Sequence, residues 1–197
     1  FIGFGNYIKL FTKDKEFWTS LRVTIVFALM TVPGKIILAL AVAIFLNRDI
    51  RGINLIRTLY YIPSLFGGSV AIAILWKLMF LDNGPINAVL TALRLPNVQF
   101  LGSTTWALPT ICLLEIWQFG SSMVMFLAAL KNVPKSLYEA AEIDGAGKAK
   151  RFWHITLPQI SPIIFFTVLN QTIQALQNFT SADVITEGGP LKSTYVL

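Results

Sequence analysis

Four long apolar runs alternate with shorter polar connections along the chain. The runs hold 26, 24, 25 and 20 residues and cover Leu21–Leu46, Thr58–Leu81, Trp106–Leu130 and Ile160–Phe179. A helix rises about 1.5 Å per residue and the hydrocarbon core of a bilayer is about 30 Å thick, so about 20 residues cross it. Each run is long enough, and the pattern therefore predicts four transmembrane helices.

The composition separates this chain from an ordinary soluble domain. Helices of soluble proteins average about 11–12 residues, far fewer than these runs hold. Hydrophobic residues make up 55% of the 197 residues and charged residues only 13%, whereas a soluble domain has about 25% charged residues. No run has the strict apolar–polar alternation of a barrel strand. We therefore expect an all-α, polytopic bundle forming a single transmembrane domain over residues 1–197.

The net charge of +6 reflects membrane orientation. Half of the sixteen basic residues lie in two connections, residues 47–57 and 131–159. The positive-inside rule places both connections in the cytoplasm. The opening segment is an exception, because it is also basic and must then lie outside. A nucleic-acid partner is disfavoured, since the basic residues lie at the ends of spans rather than on one soluble face, and membrane lipid is the expected surrounding.

Residues 1–20 form an amphipathic opening segment. We expect a short helix that either lies in the membrane interface or simply connects to the first span. Its apolar side comprises Tyr7, Leu10, Phe11, Phe17, Trp18 and Leu21. The sequence begins at Phe1 and stops at Leu197, just where another apolar run starts. We therefore expect a piece of a longer chain, with a further span after residue 197.

The connection 131–159 is too long for a simple link between two helices. Pro134 and Ser136 are typical of a helix start, and Gly145 and Gly147 are typical of a helix end. A second helix should then lead back into the last span. Four residues at i, i+3, i+4 and i+7 share one face of the first helix, where small side chains would allow a partner surface to approach: Leu137, Ala140, Ala141 and Asp144.

The same connection carries a spaced motif. Glu139-Ala140-Ala141 is followed by three residues and Gly145, then by nine residues and Ile155, and then by Leu157-Pro158. Asp144 and Ala146 beside the glycine extend the pattern. At every fixed position it resembles the EAA loop of binding-protein-dependent ABC importer permeases. We call residues 131–159 the EAA loop.

Two further motifs extend this resemblance over most of the chain. Gly84-Pro85-Ile86-Asn87 resembles the outer-loop motif of the family. Thr186, Gly188-Gly189-Pro190 and Thr194 resemble the outer motif of its carbohydrate permeases. The nearest group is the maltose- and glycerol-phosphate-type sugar permeases, on the side of the heterodimer that carries the Gly-Gly-Pro motif.

The resemblance implies a fold and a mechanism. The fold would be that of a type I ABC importer permease in a prokaryotic cell membrane. The EAA helix would dock on a cytoplasmic ATPase, and an extracytoplasmic binding protein would deliver a sugar for alternating access. The partners would be a second permease subunit and two ATP-binding cassette subunits, which would bind ATP-Mg. This chain would bind no cofactor and would not itself be an enzyme, because it contains no G-x-x-x-x-G-K-[ST] motif.

Amide side chains mark the last predicted span. Gln171, Gln174 and Asn178 fall at i, i+3 and i+7 and would share a helix face. Unpaired amides are costly in hydrocarbon, so this face should contact other helices or a wet cavity. Carboxamides donate and accept hydrogen bonds, as recognition of sugar hydroxyls requires. Both a sugar path and simple helix packing remain open.

The few charges within the spans need an explanation. Glu115 lies beside Trp117 and Gln118 and is either a contact on the substrate path or an ion-pair partner of Lys35 or Lys77. Lys35 follows Pro33-Gly34, where a helix kink would open a water-accessible space for its charge. Lys77 could extend its ammonium group to the membrane interface. Both lysines could also contact an acidic sugar.

Small residues mark another position in the second span. Gly67-Gly68-Ser69 allows either close helix packing or a local break.

Other function classes fit less well. A stand-alone secondary transporter or channel would favour an inverted repeat or paired intramembrane acids, which the sequence lacks. A membrane-embedded enzyme would need a nucleophile with its base, or a set of metal ligands, within the spans. Cys112 and His154 are the only residues of their types, so clusters of cysteine or histidine ligands are excluded and no metal is expected.

Overall fold

The computed structural model describes residues 3–48 and 51–196, and these form helices without a β-strand. The helices are α1 (Gly5–Lys13), α2 (Lys15–Leu46), α3 (Ile53–Leu65), α4 (Val70–Met79), α5 (Pro85–Ala92), α6 (Ala107–Trp117), α7 (Gly120–Lys131), α8 (Lys135–Ile143), α9 (Lys148–Arg151), a π-helix (Phe152–Thr156), α10 (Leu157–Leu176) and α11 (Thr180–Thr186). The all-α prediction is confirmed. Phe1 of the opening segment, Asp49 of the first basic connection and Leu197 lie outside the described residues.

The predicted spans are only partly continuous helices. Lys15–Leu46 and Lys148–Leu176 are each long and apolar enough to cross a membrane. Counting each of two broken helix pairs as one span raises the number to as many as four. The predicted second span is broken at residues 66–69 and the third at residues 118–119. The prediction of four spans is therefore confirmed only if each broken pair counts as one span.

Gly68 explains the first break. Its φ is +72°, a left-handed conformation that glycine adopts without steric cost. A Cβ built on Gly68 would meet nothing within 4 Å. Of the two sequence interpretations, the local break is confirmed at Gly68, and close packing is wrong there.

Two prolines shape the last span. The predicted start at Ile160 is too late, because the helix already begins at Lys148. Pro158 has no N–H to donate, and just before it the N–H of Leu157 bonds to the carbonyl of Phe152 in a wide π turn. Pro162 also lacks an N–H, so the carbonyl of Pro158, four residues earlier, has no helical backbone donor. The Ser161 hydroxyl donates to that oxygen instead, at 2.8 Å.

The opening segment is two helices rather than one. The Asp14 carboxylate accepts hydrogen bonds from the backbone N–H groups of Glu16, at 2.9 Å, and Phe17, at 3.2 Å. These bonds cap α2 and separate it from α1. Phe17 and Trp18 therefore belong to the first span, which starts at Lys15 rather than Leu21.

The chain divides into two compact units. The first comprises the described parts of Phe1–Val32, Phe66–Glu115 and Thr172–Leu197. Helix α11 packs against α4 in this unit. Its core side chains are each no more than 2% exposed and include Phe27, Ala73, Ile111, Leu114 and Ile185.

The second unit comprises Pro33–Leu65 and Ile116–Gln171, and it contains the whole EAA loop. Helix α3 packs against α7. The core of this unit includes Ala39, Ala43, Leu46, Met123, Phe126 and Ile160, each no more than 1% exposed. Lys35 also lies in this unit and is only 7% exposed.

Candidate functional site

The EAA loop folds as a helix, a glycine turn and a second helix, as its sequence predicts. Helix α8 ends at Ile143, and Gly145 follows with a φ of +72°. The N–H of Ala146 bonds to the carbonyl of Ala141 at 2.8 Å across this turn. Such a C-terminal glycine satisfies carbonyls that the end of a helix leaves unpaired. Gly147 then precedes α9 at a φ of −65°.

The predicted face of α8 is largely open. Leu137, Ala140 and Asp144 are exposed, whereas Ala141 is half-buried. Glu139 is exposed as well, and Ile143 at the end of the helix is 88% exposed. Apolar side chains this exposed on a short helix are typical of a docking surface.

The second half of the motif lies on the π-helix and at the start of α10. Ile155 is on the π-helix, and Leu157-Pro158 begins α10. Ala146 of the turn and Ile155 are both half-buried. The two halves of the motif therefore occupy two different helices.

Two side-chain contacts join these helices, and sequence reasoning missed both. The hydroxyls of Tyr138 and Thr156 lie 2.8 Å apart. Arg151 donates to Glu142 at 3.1 Å. The partners are separated by 18 and 9 positions in the sequence, and the Gly145 turn interrupts the helix between them, so helical periodicity does not identify them. His154 is exposed, with Nδ1 3.0 Å from the carbonyl of Lys150.

Glu115 accepts a hydrogen bond from the Ser181 hydroxyl at 2.6 Å. This contact lies within the first unit and joins α6 to the first turn of α11. Lys77 contacts the other end of α11, with Nζ 3.4 Å from the carbonyl of Val184 and 3.8 Å from a carboxylate oxygen of Glu187. The expected Lys77–Glu115 pair is therefore corrected: Glu187 is the acid beside Lys77, and Ser181 is a partner of Glu115.

Gln118 lies at the break between α6 and α7 and is only 5% exposed. Its neighbour Trp117 ends α6 and is 39% exposed. The sequence singled out both residues without predicting that the helix stops here.

The three amides of the last span do not share one helix face. Gln171 is buried and Gln174 exposed, and both lie on α10. Helix α10 ends at Leu176, so Asn178 falls in the connection to α11. Its Oδ1 accepts from the backbone N–H of Ser181 at 3.3 Å, at the start of α11. The i+7 relation to Gln171 is therefore wrong for Asn178, because the helix has already stopped.

A groove in the second unit was not predicted. It has a volume of about 600 Å³ and lies along α3 and α7. Five of its side chains carry hydrogen-bonding groups, namely Asn54, Arg57, Thr58, Tyr61 and Ser121. The rest of the lining is apolar and comprises Val124, Met125 and Leu127, and Arg57 already donates to the Asn54 side chain at 2.8 Å.

The two outer motifs have defined structures in the first unit. Asn87 is 2% exposed, and its side chain bonds to both backbone groups of Val98 at 3.0 Å. The hydroxyls of Thr186 and Thr194 lie 2.6 Å apart, and that of Thr194 donates to the carbonyl of Gly189 at 2.8 Å. These motif residues therefore shape the loops that contain them.

Comparison with known proteins agrees with the loop motif. Residues 12–197 match the family described as "Binding-protein-dependent transport system inner membrane component". A probable ABC transporter permease protein, YesP of Bacillus subtilis (strain 168), is 47% identical over 98% of this chain and 63% of its own length. The sulfoquinovosyl glycerol transport system permease protein SmoG of Agrobacterium fabrum is 39% identical over 100% of this chain and 64% of its own length.

A solved structure has the same fold. It is a bacterial alginate ABC transporter in complex with an alginate pentasaccharide-bound periplasmic protein, and one of its chains matches with a TM-score of 0.81. The match has 25% identity and covers 98% of this chain and 68% of that one. The present chain spans less than two thirds of the length of YesP and SmoG. With the EAA loop in place, these matches show that the chain belongs to the binding-protein-dependent transport system inner membrane components and is related to sugar ABC transporter permeases.

Proposed function

We propose that this chain is a membrane-spanning subunit of an ATP-driven importer. It would pass a sugar or oligosaccharide from an extracytoplasmic binding protein into the cytoplasm by alternating access. The membership in a binding-protein-dependent family and the relation to the permeases YesP and SmoG support this. The protein would be a multi-pass component of a prokaryotic cell membrane, with a second permease subunit and two ATPase subunits as partners.

The observation that carries the proposal is the open face of α8. Leu137 and Ala140 are exposed on this face, and Ile143 and Glu139 are exposed on another side of the same short helix, in a loop whose charge favours the cytoplasm. A groove on an ATPase subunit would cover these apolar side chains, and Glu139 would meet polar or basic groups at its rim. ATP-Mg would be bound by the ATPase subunits, and this chain would transmit the motion.

The substrate path is a further part of the proposal. It comprises Glu115, Trp117, Gln118, Gln171, Gln174 and Asn178. The chemistry supports it, because amides and a carboxylate bind hydroxyls and a tryptophan ring stacks on a sugar face. The alginate-bound neighbour supports a sugar cargo and leaves its charge open.

The test is a charge reversal on the exposed face of α8. The complete transporter, with full-length permeases, ATPases and binding protein, is reconstituted in proteoliposomes. We expect Glu139→Lys to lower sugar uptake by about tenfold or more, because it reverses a charge at a docked interface. Asp82→Lys makes the same charge change at an exposed residue of the opposite connection and should leave uptake unchanged.

Two results would contradict the proposal. Wild-type uptake by the Glu139→Lys transporter would remove the coupling role of α8. Full uptake by the permease subunits alone, without ATPases or ATP, would instead support a secondary transporter or channel.

A further inference from the structure

A hydrogen bond joins the two halves of the EAA motif. Tyr138 immediately precedes the Glu-Ala-Ala triplet, and Thr156 lies between Ile155 and Leu157 of the second half. Their hydroxyl oxygens are 2.8 Å apart, Tyr138 is half-buried, and Thr156 is 7% exposed. A hydrogen bond away from water resists opening, since each hydroxyl would lose its partner without full access to solvent.

The turn between the two helices has open space around it, and the second polar side-chain contact across it is more exposed. A Cβ built on Gly145 or Gly147 would meet nothing within 4 Å, so the turn has open space around it. The Arg151–Glu142 pair is the other side-chain contact across the turn, but Glu142 is 73% exposed. Water screens such a pair, and exposed ion pairs contribute little. The Tyr138–Thr156 bond is therefore the better-protected link between α8 and α10.

We propose that Tyr138 and Thr156 are positioning residues that lock α8 to the π-helix that leads directly into α10. When the ATPase displaces α8, the bond would carry the displacement into the span. Without it, the Gly145 turn would absorb part of the motion. This inference rests on the proposed coupling function. It also gives a physical reason for the fixed spacing in the motif, because that spacing brings Tyr138 and Thr156 together.

The test measures coupling rather than folding. Tyr138→Phe and Thr156→Val each remove one hydroxyl with little change of shape, and the complete transporter is assayed for sugar molecules imported per ATP hydrolysed. We expect each variant to lower this ratio by about two- to tenfold, the range that a single neutral hydrogen bond supports. The double variant should match the singles, because all three lose the same bond. Thr156→Ser keeps the hydroxyl and should retain the wild-type ratio.

Matched controls separate this bond from hydroxyl loss in general. Thr167 is 1% exposed on α10, and its hydroxyl bonds within the helix to the carbonyl of Ile163 at 2.7 Å. Thr167→Val should therefore keep the wild-type ratio. Tyr7→Phe, at an exposed residue of α1, should do the same.

Three outcomes would overturn the inference. The first is an unchanged ratio in both single variants. The second is a double variant whose loss equals the product of the two single losses, because the side chains would then act separately. The third is a Thr156→Ser ratio as low as that of Thr156→Val. If Thr156→Val does not assemble, Tyr138→Phe alone decides, since it removes one oxygen from a half-buried ring.

The two proposals fail in different ways. If Glu139→Lys uncouples the transporter while Tyr138→Phe does not, the lock is wrong and the coupling role of α8 stands. If Glu139→Lys has no effect, the proposed function itself is wrong.

Discussion

Gly120 sets the closest approach between α3 and α7. A Cβ on this glycine would lie 2.5 Å from the carbonyl oxygen of Tyr60, 2.8 Å from the Cα of Tyr61 and 3.0 Å from the hydroxyl of Ser64. Favourable contacts between carbon atoms are about 3.5–4.0 Å. Two of these three obstacles are backbone atoms, which no rotamer change can move. Gly120→Ala must therefore push the two helices apart by roughly 1 Å.

The cost follows from that separation. A radial gap of 0.5–1 Å forfeits about a quarter to a half of each dispersion contact that it opens. Overpacking a well-packed core typically costs about 1–3 kcal/mol. The gain in helix propensity from glycine to alanine is at most about 1 kcal/mol and is smaller at the first residue of a helix. We expect a net loss of about 2 kcal/mol, which lowers the melting temperature by about 4–8 °C in a chain of this size.

Gly34 provides a matched control on α2. Its Cβ would lie 2.6 Å from an atom as well, but that atom is Cδ1 of Ile116, the far end of a flexible side chain. A rotation of Ile116 relieves the contact, and Gly34 is inside a helix, where alanine gains the full propensity. Gly34→Ala should leave the melting temperature unchanged or raise it slightly.

In the assay, the purified full-length permease is heated in detergent to a series of temperatures. The protein that remains folded at each temperature is then measured by size-exclusion chromatography. The two alanine variants should differ by at least about 4 °C. Equal melting temperatures would refute the reasoning, because backbone and side-chain obstacles would then be equivalent. A Gly120→Ala protein as stable as wild type would show that α3 and α7 are not in this contact.

Two further predictions use the same unfolding assay. Asn87→Ala leaves the half-buried N–H and C=O of Val98 without their side-chain partner and should cost about 1–3 kcal/mol. The exposed Asn97→Ala should cost under about 1 kcal/mol, and equal losses would contradict the role of Asn87. Arg57 donates to the Leu46 carbonyl at the end of α2 and to Asn54, both at 2.8 Å. In Arg57→Lys a single ammonium group replaces the guanidinium fork that reaches both acceptors, so we expect a loss of about 1–2 kcal/mol in the free energy of unfolding. The exposed Arg51→Lys should be neutral. A neutral Arg57→Lys would rule out a role for Arg57 in capping the end of α2.

The EAA loop was predictable because its determinants are local. Proline and serine at the start of α8 and glycine after its end fix the helix within a few residues. The positions that the sequence assigned to one face are the exposed ones, apart from the half-buried Ala141. The five basic residues of this loop predict a cytoplasmic position.

The breaks in the spans were not predictable from apolar length. A run of apolar residues has the same composition whether its helix is continuous or interrupted. Gly68 can end a helix or pack within one, and its φ of +72° decides between these. The last span illustrates the opposite error, since its apolar run starts at Ile160 but the helix begins at Lys148, and a π turn and the Ser161 hydroxyl let it continue past the prolines.

The long-range hydrogen-bond and ion-pair partners could not be predicted from the sequence, for a different reason. Glu115 and Ser181 are 66 positions apart, and Lys77 and Val184 are 107 apart. Helical periodicity relates residues three or four positions apart and says nothing about such pairs. The sequence identified Glu115 and Lys77 as residues that need partners, and only the fold supplies Ser181 and Glu187.

Two amide side chains, Gln118 and Asn178, lie where helices stop, and this placement has a physical consequence. A helix break leaves backbone N–H and C=O groups unpaired, and hydrocarbon cannot satisfy them. Gln118 lies at the break between α6 and α7, and Asn178 lies between α10 and α11, where it bonds to the N–H of Ser181. Broken helices at membrane depth are tolerated where protein or a wet cavity surrounds them. Amides can satisfy such groups, because they donate and accept hydrogen bonds without adding charge to the bilayer.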